Sequence, residues 1–334
     1  MTISINDNSF RSQETNFNAR NYVIVGAGML GILVAREIKL KYPTAQVIIY
    51  EKRSAPLLEM SAKHSALVHQ PFYYRDPDVS EWVKCGREEL IHYCQQKGIE
   101  LWYKQARFEN EKTQIPVVSL DQFNNEIFKE SKQLGIEYQF NTNFLDIAVP
   151  SNCMVINCAG SDALSIAQAH QLAPSLFQLN FQQLHYVDSL YQDEDHQFSI
   201  LHNQQIPMLE PHWIHSPAEN LVKYGPFLKL GPLRTYLGSP LQSATALIIL
   251  IKKFGLERII RQVLARKRSA QNHLTPYAKR PHRHLIFCFE SLELLSRPRI
   301  LYSKNQRSWH VLNYHSPGFT MGFAFARDLV KRLG

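Results

Sequence analysis

Residues 22–52 read YVIVGAGMLGILVAREIKLKYPTAQVIIYEK, and this stretch decides the fold. It opens on a short apolar run, Tyr22-Val23-Ile24-Val25, suited to a strand buried in a parallel sheet. Gly26-Ala27-Gly28-Met29-Leu30-Gly31 follows at once as a complete G-x-G-x-x-G. A helical pattern over residues 32–42 places Val34, Ala35, Ile38 and Tyr42 on one side, and a second apolar run ends on Glu51. Each part has a physical task in a dinucleotide site. Gly26 permits the tight turn, Gly28 the close approach of a pyrophosphate, and Gly31 the packing of helix on strand. The amides of Met29 and Leu30 open the helix N-terminus that faces the phosphates. Glu51 lies about twenty residues past Gly31, where an acid accepts hydrogen bonds from a ribose diol, with Lys52 beside it. The motif alone also fits a βαβ unit without ligand. Strand, turn, helix, strand and acid in this order favour the dinucleotide.

The chain of 334 residues is long enough for two domains, and its 45% hydrophobic content is that of an ordinary globular protein. No apolar run approaches the roughly eighteen residues of a membrane-spanning helix. Residues 1–20 are polar and lack the apolar stretch of a signal peptide, which predicts a flexible leader on a cytoplasmic protein. Cys85, Cys94, Cys153, Cys158 and Cys288 are odd in number and contain no C-x-x-C, so reduced thiols are expected and no metal site is indicated. The net charge of +8 is concentrated over residues 252–283, including Arg266-Lys267-Arg268 and the run from Lys279 to His284. A solvated basic face is the simpler reading. An anionic membrane surface or an acidic partner is the functional one, whereas no aromatic-interleaved module for nucleic acid is visible.

Past the first unit, residues 77–98 read as a helix capped by Asp78 or Ser80, and residues 120–134 as another. Strands are expected at 136–140 and 144–149, and a buried one at 153–157 running into the small-residue turn Cys158-Ala159-Gly160, with a helix over 163–170. From about Ser175 the texture changes. Residues 179–191, 196–202 and 220–230 alternate apolar and polar side chains between Pro and Gly, the mark of an antiparallel sheet. Residues 243–269 form a basic helical pattern, strands are expected at 299–302 and 309–313, and a last helix covers 321–333.

These residues together resemble flavoproteins of the D-amino-acid-oxidase superfamily, and among them the FAD-dependent L-2-hydroxyglutarate dehydrogenases. The resemblance is densest over residues 22–98, with Ser65-Ala66-Leu67-Val68-His69 followed by Tyr73-Tyr74; over Ile156-Asn157-Cys158-Ala159-Gly160; and over residues 313–320, NYHSPGFT. It implies FAD as the dinucleotide. It also implies a fold in two parts: a Rossmann-like α/β FAD domain from 21–165 and 300–334, and an antiparallel-sheet substrate domain over 166–299. By the same resemblance Ser65, Ala159, Gly160, Pro317, Gly318, Phe319 and Thr320 join the cofactor site, with the last helix N-terminus at the pyrimidine edge of the flavin, where its dipole stabilises negative charge. The departures fall on the substrate side. The family usually has His-Asn-Ser-Gly where this chain has Lys63-His64-Ser65-Ala66, several dozen more residues ahead of the helix at Leu120, and a Pro-Phe-Arg-Gly where this chain has Asn180-Phe181-Gln182-Gln183.

The activity implied is oxidation of the α C–H of a small 2-hydroxy or 2-amino acid, hydride passing to flavin and a proton to a base of suitable pKa, most simply histidine. His69 and His212 match family histidines and are the candidates. Tyr73 or Tyr74 would place a hydroxyl over the substrate, and Arg297 would bind its carboxylate bidentately, with Arg299 and Arg75 in reserve. The electron acceptor, whether oxygen, a quinone or a protein, is not written in the motif. Two alternatives stand beside this reading: a flavoprotein acting on a larger, biosynthetic or carrier-bound substrate, and a flavin-binding scaffold without catalysis.

Overall fold

The computed structural model describes residues 21–62, 64, 66–74, 76–108, 111–188, 198–200, 212–216, 221–230, 275–277, 282–288, 295, 297–314 and 317–333. The expected leader and the basic region 243–269 lie outside them. The centre is a six-stranded sheet. In chain order it uses β1 (Asn21–Val25), β2 (Gln46–Tyr50), β5 (Glu137–Gln139), β6 (Cys153–Asn157), β13 (Arg299–Ser303) and β14 (Ser308–Leu312), laid out as β13-β14-β6-β1-β2-β5. Every pairing is parallel except β13 with β14. Both chain regions implied for the flavin domain therefore meet in one sheet, because β14 docks beside β6 with His310 opposite Asn157.

Helices α1 (Met29–Lys41), α2 (Pro77–Lys97), α3 (Leu120–Gln133) and α5 (Gly318–Arg332) pack together against this sheet; α4 (Ala163–Ala169) follows β6. The sequence pattern put one apolar side on α1. Instead every residue from Met29 to Ala35 is buried, since α1 lies between the sheet and α5. Phe123, Phe325, Ile32, Leu33 and Ile38 are among the fully buried side chains that fill this layer, each contributing about 1.5–3 kcal/mol by burial. Charged pairs tie the helices across their outer edges. Arg36 of α1 donates to Glu130 of α3 at 2.7 Å, and Arg327 of α5 meets Glu89 of α2 with two nitrogens.

The α2–α5 crossing depends on Gly86. A Cβ there would collide with the Thr320 carbonyl oxygen and come 2.7 Å from Met321 Cα, both rigid backbone. The cap of α2 differs from expectation: Asp76, not Asp78 or Ser80, accepts from the amides of Asp78 and Val79 at 3.0 and 3.1 Å, with Pro77 preset for the first helical position. Residues 144–149 are not a strand either. Asn143 turns Phe144–Asp146 into a short 3-10 helix by accepting from Leu145 N.

Two further sheets stand apart from the first. The hairpin β3 (Leu101–Phe108) and β4 (Glu111–Val118), unforeseen in the sequence, is joined by only residues 109–110 and pairs in parallel with β8 (Phe198–Ile200). Residues 115–119 are buried throughout, so no alternation of period two announced β4 in the sequence. The third sheet is antiparallel, as the texture after Ser175 predicted. β7 (Leu176–Asp188) is its spine, paired with β10 (Leu221–Leu230), β11 (Thr275–Tyr277) and β12 (His282–Cys288), and β10 carries β9 (His212–Ser216). Among the described residues no helix is long and apolar enough to cross a membrane, and the five cysteines form no disulfide.

Gly86→Ala is expected to lower stability by about 1–3 kcal/mol, because the added methyl forces two backbones apart. Urea unfolding of the variant beside wild type measures this, and an unchanged midpoint would show that the crossing accommodates a side chain.

Candidate dinucleotide and active site

Four strand ends meet at one edge of the parallel sheet. β1 runs into the glycine loop and α1, β2 into Glu51, β6 into Cys158-Ala159-Gly160, and β14 into Asn313-Tyr314 and α5. Ligands bind outside the carboxyl ends of such strands. The loop is drawn tight by two bonds: Gly26 N donates to Tyr50 O at 2.8 Å and Cys158 N to Val25 O at 2.9 Å. Gly26 has φ +97°, and a Cβ on it would lie 2.9 Å from Cys158 O. A Cβ on Gly31 would collide with the Gly26 carbonyl oxygen. These two glycines are demanded by the protein itself.

Gly28 is different. Its φ is an ordinary −75° and the nearest atom to a Cβ would be Ser61 Oγ at 3.5 Å, normal contact. Among the described residues nothing requires glycine there, so the position fits a group that must approach the backbone closely. Around it the donors suit an anion. α1 begins with no acidic residue in its first turn, and its N-terminal amides carry the positive end of the helix dipole. Met29 N donates to Ser61 Oγ at 2.9 Å, and Asn124 of α3 holds Ser61 by its carbonyl at 3.0 Å. Glu51 accepts from Ala27 N and Arg53 N, both at 2.8 Å, which sets its carboxylate against the glycine loop with lone pairs remaining. Lys52 pairs with Asp162 across the loops after β2 and β6. Gly160 has φ +57° and open space where a Cβ would be. The residue types therefore fit FAD. The glycine loop, Met29 and Leu30 would hold the pyrophosphate, Glu51 the ribose, and Ala159, Gly160 and the start of α5 the flavin.

At the other wall a strap over residues 66–74 crosses from β4 to α5. Val68 N donates to Pro116 O, Val118 N to Ala66 O, and His69 N to Thr320 Oγ1, at 2.9, 3.1 and 2.9 Å. Thr320 is fully buried and its hydroxyl donates to Leu67 O at 3.4 Å. Ala66 has φ 53°, a left-handed conformation that suits the glycine usual in the resembled family and strains an alanine by about 1–2 kcal/mol. His64 Nδ1 accepts from Ala66 N, and its ring lies 4.5 Å from that of Phe319. His69 Nδ1 is 2.6 Å from the Tyr74 hydroxyl. α5 begins at Gly318 rather than Met321, so Gly318, Phe319 and Thr320 form its first turn after Pro317, and the hydroxyl of the partly buried Tyr314 donates to Gly318 O at 2.5 Å. Burial raises the Tyr314 phenol, keeping it a neutral donor.

The strap, the first turn of α5, the glycine loop and the β6 turn are thus brought together at one sheet edge. Arg297 is engaged elsewhere: its Nη1 lies 2.6 Å from Asp78 and 3.9 Å from Asp76 at the N-terminus of α2, so a substrate carboxylate would compete with two aspartates. For Tyr73 and His212 the backbone alone is described, in a 3-10 turn and at the start of β9. Ser65 and Arg75 lie outside the described residues. Sequence reasoning missed Ser61, Asn124 and the buried set Asn157, Ser308 and His310. The signal for the last was present, as polar residues inside apolar strands. Among the described residues no group of acids, histidines or cysteines could hold a metal.

Residues 21–108 match the DAO family model, described as FAD dependent oxidoreductase. The match covers about a quarter of the chain, and over that stretch the chain is similar to FAD-dependent oxidoreductases. Mitochondrial L-2-hydroxyglutarate dehydrogenase of Homo sapiens is 32% identical over 97 residues, 28% of this chain and 20% of that protein. The Escherichia coli (strain K12) enzyme of the same name is 29% identical over 80 residues, 24% of this chain and 19% of its own. The matched stretch thus spans about a fifth of these relatives' length. The fold is shared more widely: L-alpha-glycerophosphate oxidase from Mycoplasma pneumoniae superposes with TM-score 0.59 at 13% identity over 94% of both chains. Glycine oxidase from Geobacillus kaustophilus does so with TM-score 0.61 at 10% identity, again over 94% of both.

Two outcomes follow from this geometry. Gly28→Ala is expected to change apoprotein stability by less than about 1 kcal/mol, yet weaken FAD binding at least about tenfold, since its methyl enters space that only the pyrophosphate needs. Flavin fluorescence titration beside thermal melting checks both, and equal affinity would remove the pyrophosphate from this loop. Burial, reinforced by His170, lowers the His310 imidazolium from 6.5 to about 4, and burial also lowers His170. The unfolded chain then takes up these protons first as pH falls. His310 stabilises the fold fully above about pH 6.5 and progressively less down to about pH 4, a change on the order of 3 kcal/mol. Denaturant unfolding at pH 7 and pH 4.5 should show a smaller acid loss in His310→Asn than in wild type. Parallel losses would contradict this.

Proposed function

We propose that this protein is an FAD-dependent oxidoreductase that oxidises the α C–H of a small 2-hydroxy or 2-amino acid. The observation that carries this reading is the strap holding His69, bonded to Tyr74, on the first turn of α5 at the sheet edge that carries the glycine loop. FAD, when bound, supplies the hydride acceptor. The chain must supply a proton acceptor and a site from which water is excluded. When His69 Nδ1–H donates to the Tyr74 oxygen, Nε2 is left bare and can take the proton of a substrate hydroxyl or amine as the C–H bond is broken. Tyr74 thereby holds the ring orientation. His212 and Tyr73 remain further candidates on the substrate side, and Arg297 could receive a carboxylate in exchange for Asp78. The names of the relatives, dehydrogenases of 2-hydroxyglutarate and oxidases of glycine and of glycerophosphate, support small acids as the class to test. Oxygen, a quinone or a protein would reoxidise the flavin, and any contact with anionic membrane would fall to the basic region 252–283.

A carrier-bound or larger substrate is the second reading. It is favoured by one observation: β3 and β4 are joined by residues 109–110 alone where the resembled family inserts several dozen residues, which leaves that side less covered.

Purified protein is expected to be yellow and to release FAD on denaturation, and a panel of 2-hydroxy and 2-amino acids should bleach it anaerobically. His69→Ala should retain the flavin spectrum and be reduced about 10²–10⁴-fold more slowly. The wild-type rate should rise with pH through the histidine range, because only neutral imidazole accepts the proton. Unchanged reduction in His69→Ala would make the strap structural. A flavin that no acid of the panel bleaches would favour the scaffold or the larger substrate.

A further inference from the structure

Asn157 ends β6, fully buried, where a polar side chain is costly unless every donor and acceptor is matched. Two of its bonds have a fixed direction. Its Oδ1 accepts from Ala159 N at 3.2 Å, which can only donate, and its Nδ2 donates to Ala163 O at 2.9 Å, which can only accept. The orientation of the amide is therefore settled, and the second Nδ2 hydrogen faces His310 Nδ1 at 2.9 Å. That nitrogen must be the acceptor, so the imidazole proton sits on Nε2, which donates to Ser308 Oγ at 2.9 Å. The Ser308 hydroxyl is left to donate to His170 Nδ1, 3.4 Å away. Ser308 and His310 are fully buried like Asn157, and the parallel register of β14 and β6 sets His310 beside it.

We propose that His310 is a positioning residue for the cofactor site: its bare Nδ1 locks the amide of Asn157, and Asn157 clamps the turn from Ala159 to Ala163 that presents Gly160 to the flavin. The inference rests on the FAD reading of that turn. It extends to the glycine loop, because Cys158 O and Ala159 Cα lie 2.9 and 3.0 Å from where a Gly26 Cβ would be, so a turn that moves displaces the loop too. Without an acceptor at the Nδ1 position, the second Nδ2 hydrogen is left buried and unmatched, and the amide shifts to satisfy it at the expense of its bonds to Ala159 N and Ala163 O.

The experiment separates the two imidazole nitrogens. His310→Asn places an amide oxygen near the former Nδ1 and keeps the acceptor, whereas His310→Gln reaches the former Nε2 and does not. FAD affinity of the apoproteins, read by flavin fluorescence, should stay within about threefold of wild type for His310→Asn and fall about tenfold or more for His310→Gln, the scale of one hydrogen bond. Amide exchange at Ala159 should quicken in the Gln variant and not in the Asn variant. Equal affinity in both variants, or Ala159 protection unchanged in His310→Gln, would overturn the proposal. Imidazole ¹⁵N shifts of wild type give a check that needs no variant to fold: they should show Nδ1 unprotonated and Nε2 protonated, and the reverse tautomer overturns the lock. Wild type that takes up no FAD would instead reject the flavin reading, a result distinct from a failed lock, which leaves wild-type binding intact.

Discussion

The structure depends on backbone contacts too close for any Cβ. Gly26 sits against the carbonyl of Cys158, and Gly31 sits against the carbonyl of Gly26. The first contact lets β1 and β6 end side by side with their turns touching. The second brings α1 down on the sheet so tightly that its first two turns are buried all round. The sheet edge then becomes a cradle in which the side chains of Glu51 and Ser61 meet the amides of Ala27 and Met29. A methyl at either place would lift the helix or part the strands, and the dipole of α1 would no longer be aimed into the cradle.

The same economy recurs where the second chain region joins. Gly86 and Gly322 remove the side chains that would hold α5 away from α2 and α1: a Cβ on Gly322 would be 2.7 Å from Leu33. Close crossing of these helices sets the first turn of α5 beside the glycine loop and allows Thr320 to reach the strap through His69 N. The strap is thus registered on its two sides by different elements, β4 and α5. His69 and Tyr74 take their orientation from that double attachment, not from their own loop.

Polar side chains inside this core join elements across it. Asn157, Ser308 and His310 join β6 to β14, and Asn313, at φ 58°, donates to the carbonyls of Leu295 and Arg297. Such bonds add little net stability, but they are directional where apolar packing is not. They fix which way the turns after β6 and β14 face at the sheet edge.

The sequence by itself determined the Rossmann-like unit. Strand, glycines, helix and Glu51 are local in the chain, and each rests on backbone conformation or short-range sterics that a residue type announces. The antiparallel sheet was legible for the same reason, since alternation is local. Only the tertiary structure decided the rest. Asp76 displaced Asp78 as the cap because Pro77 is suited to the first helical position and so moves the start of α2. The hairpin at 101–118 pairs with β8 on one side and meets the strap through Leu67 opposite Val117. Arg297 found aspartates more than two hundred positions away in the chain, and His310 found Asn157 through strand register. A side chain's partner across the fold is set by where elements dock, and docking reflects the sum of many weak contacts that no single stretch of sequence contains.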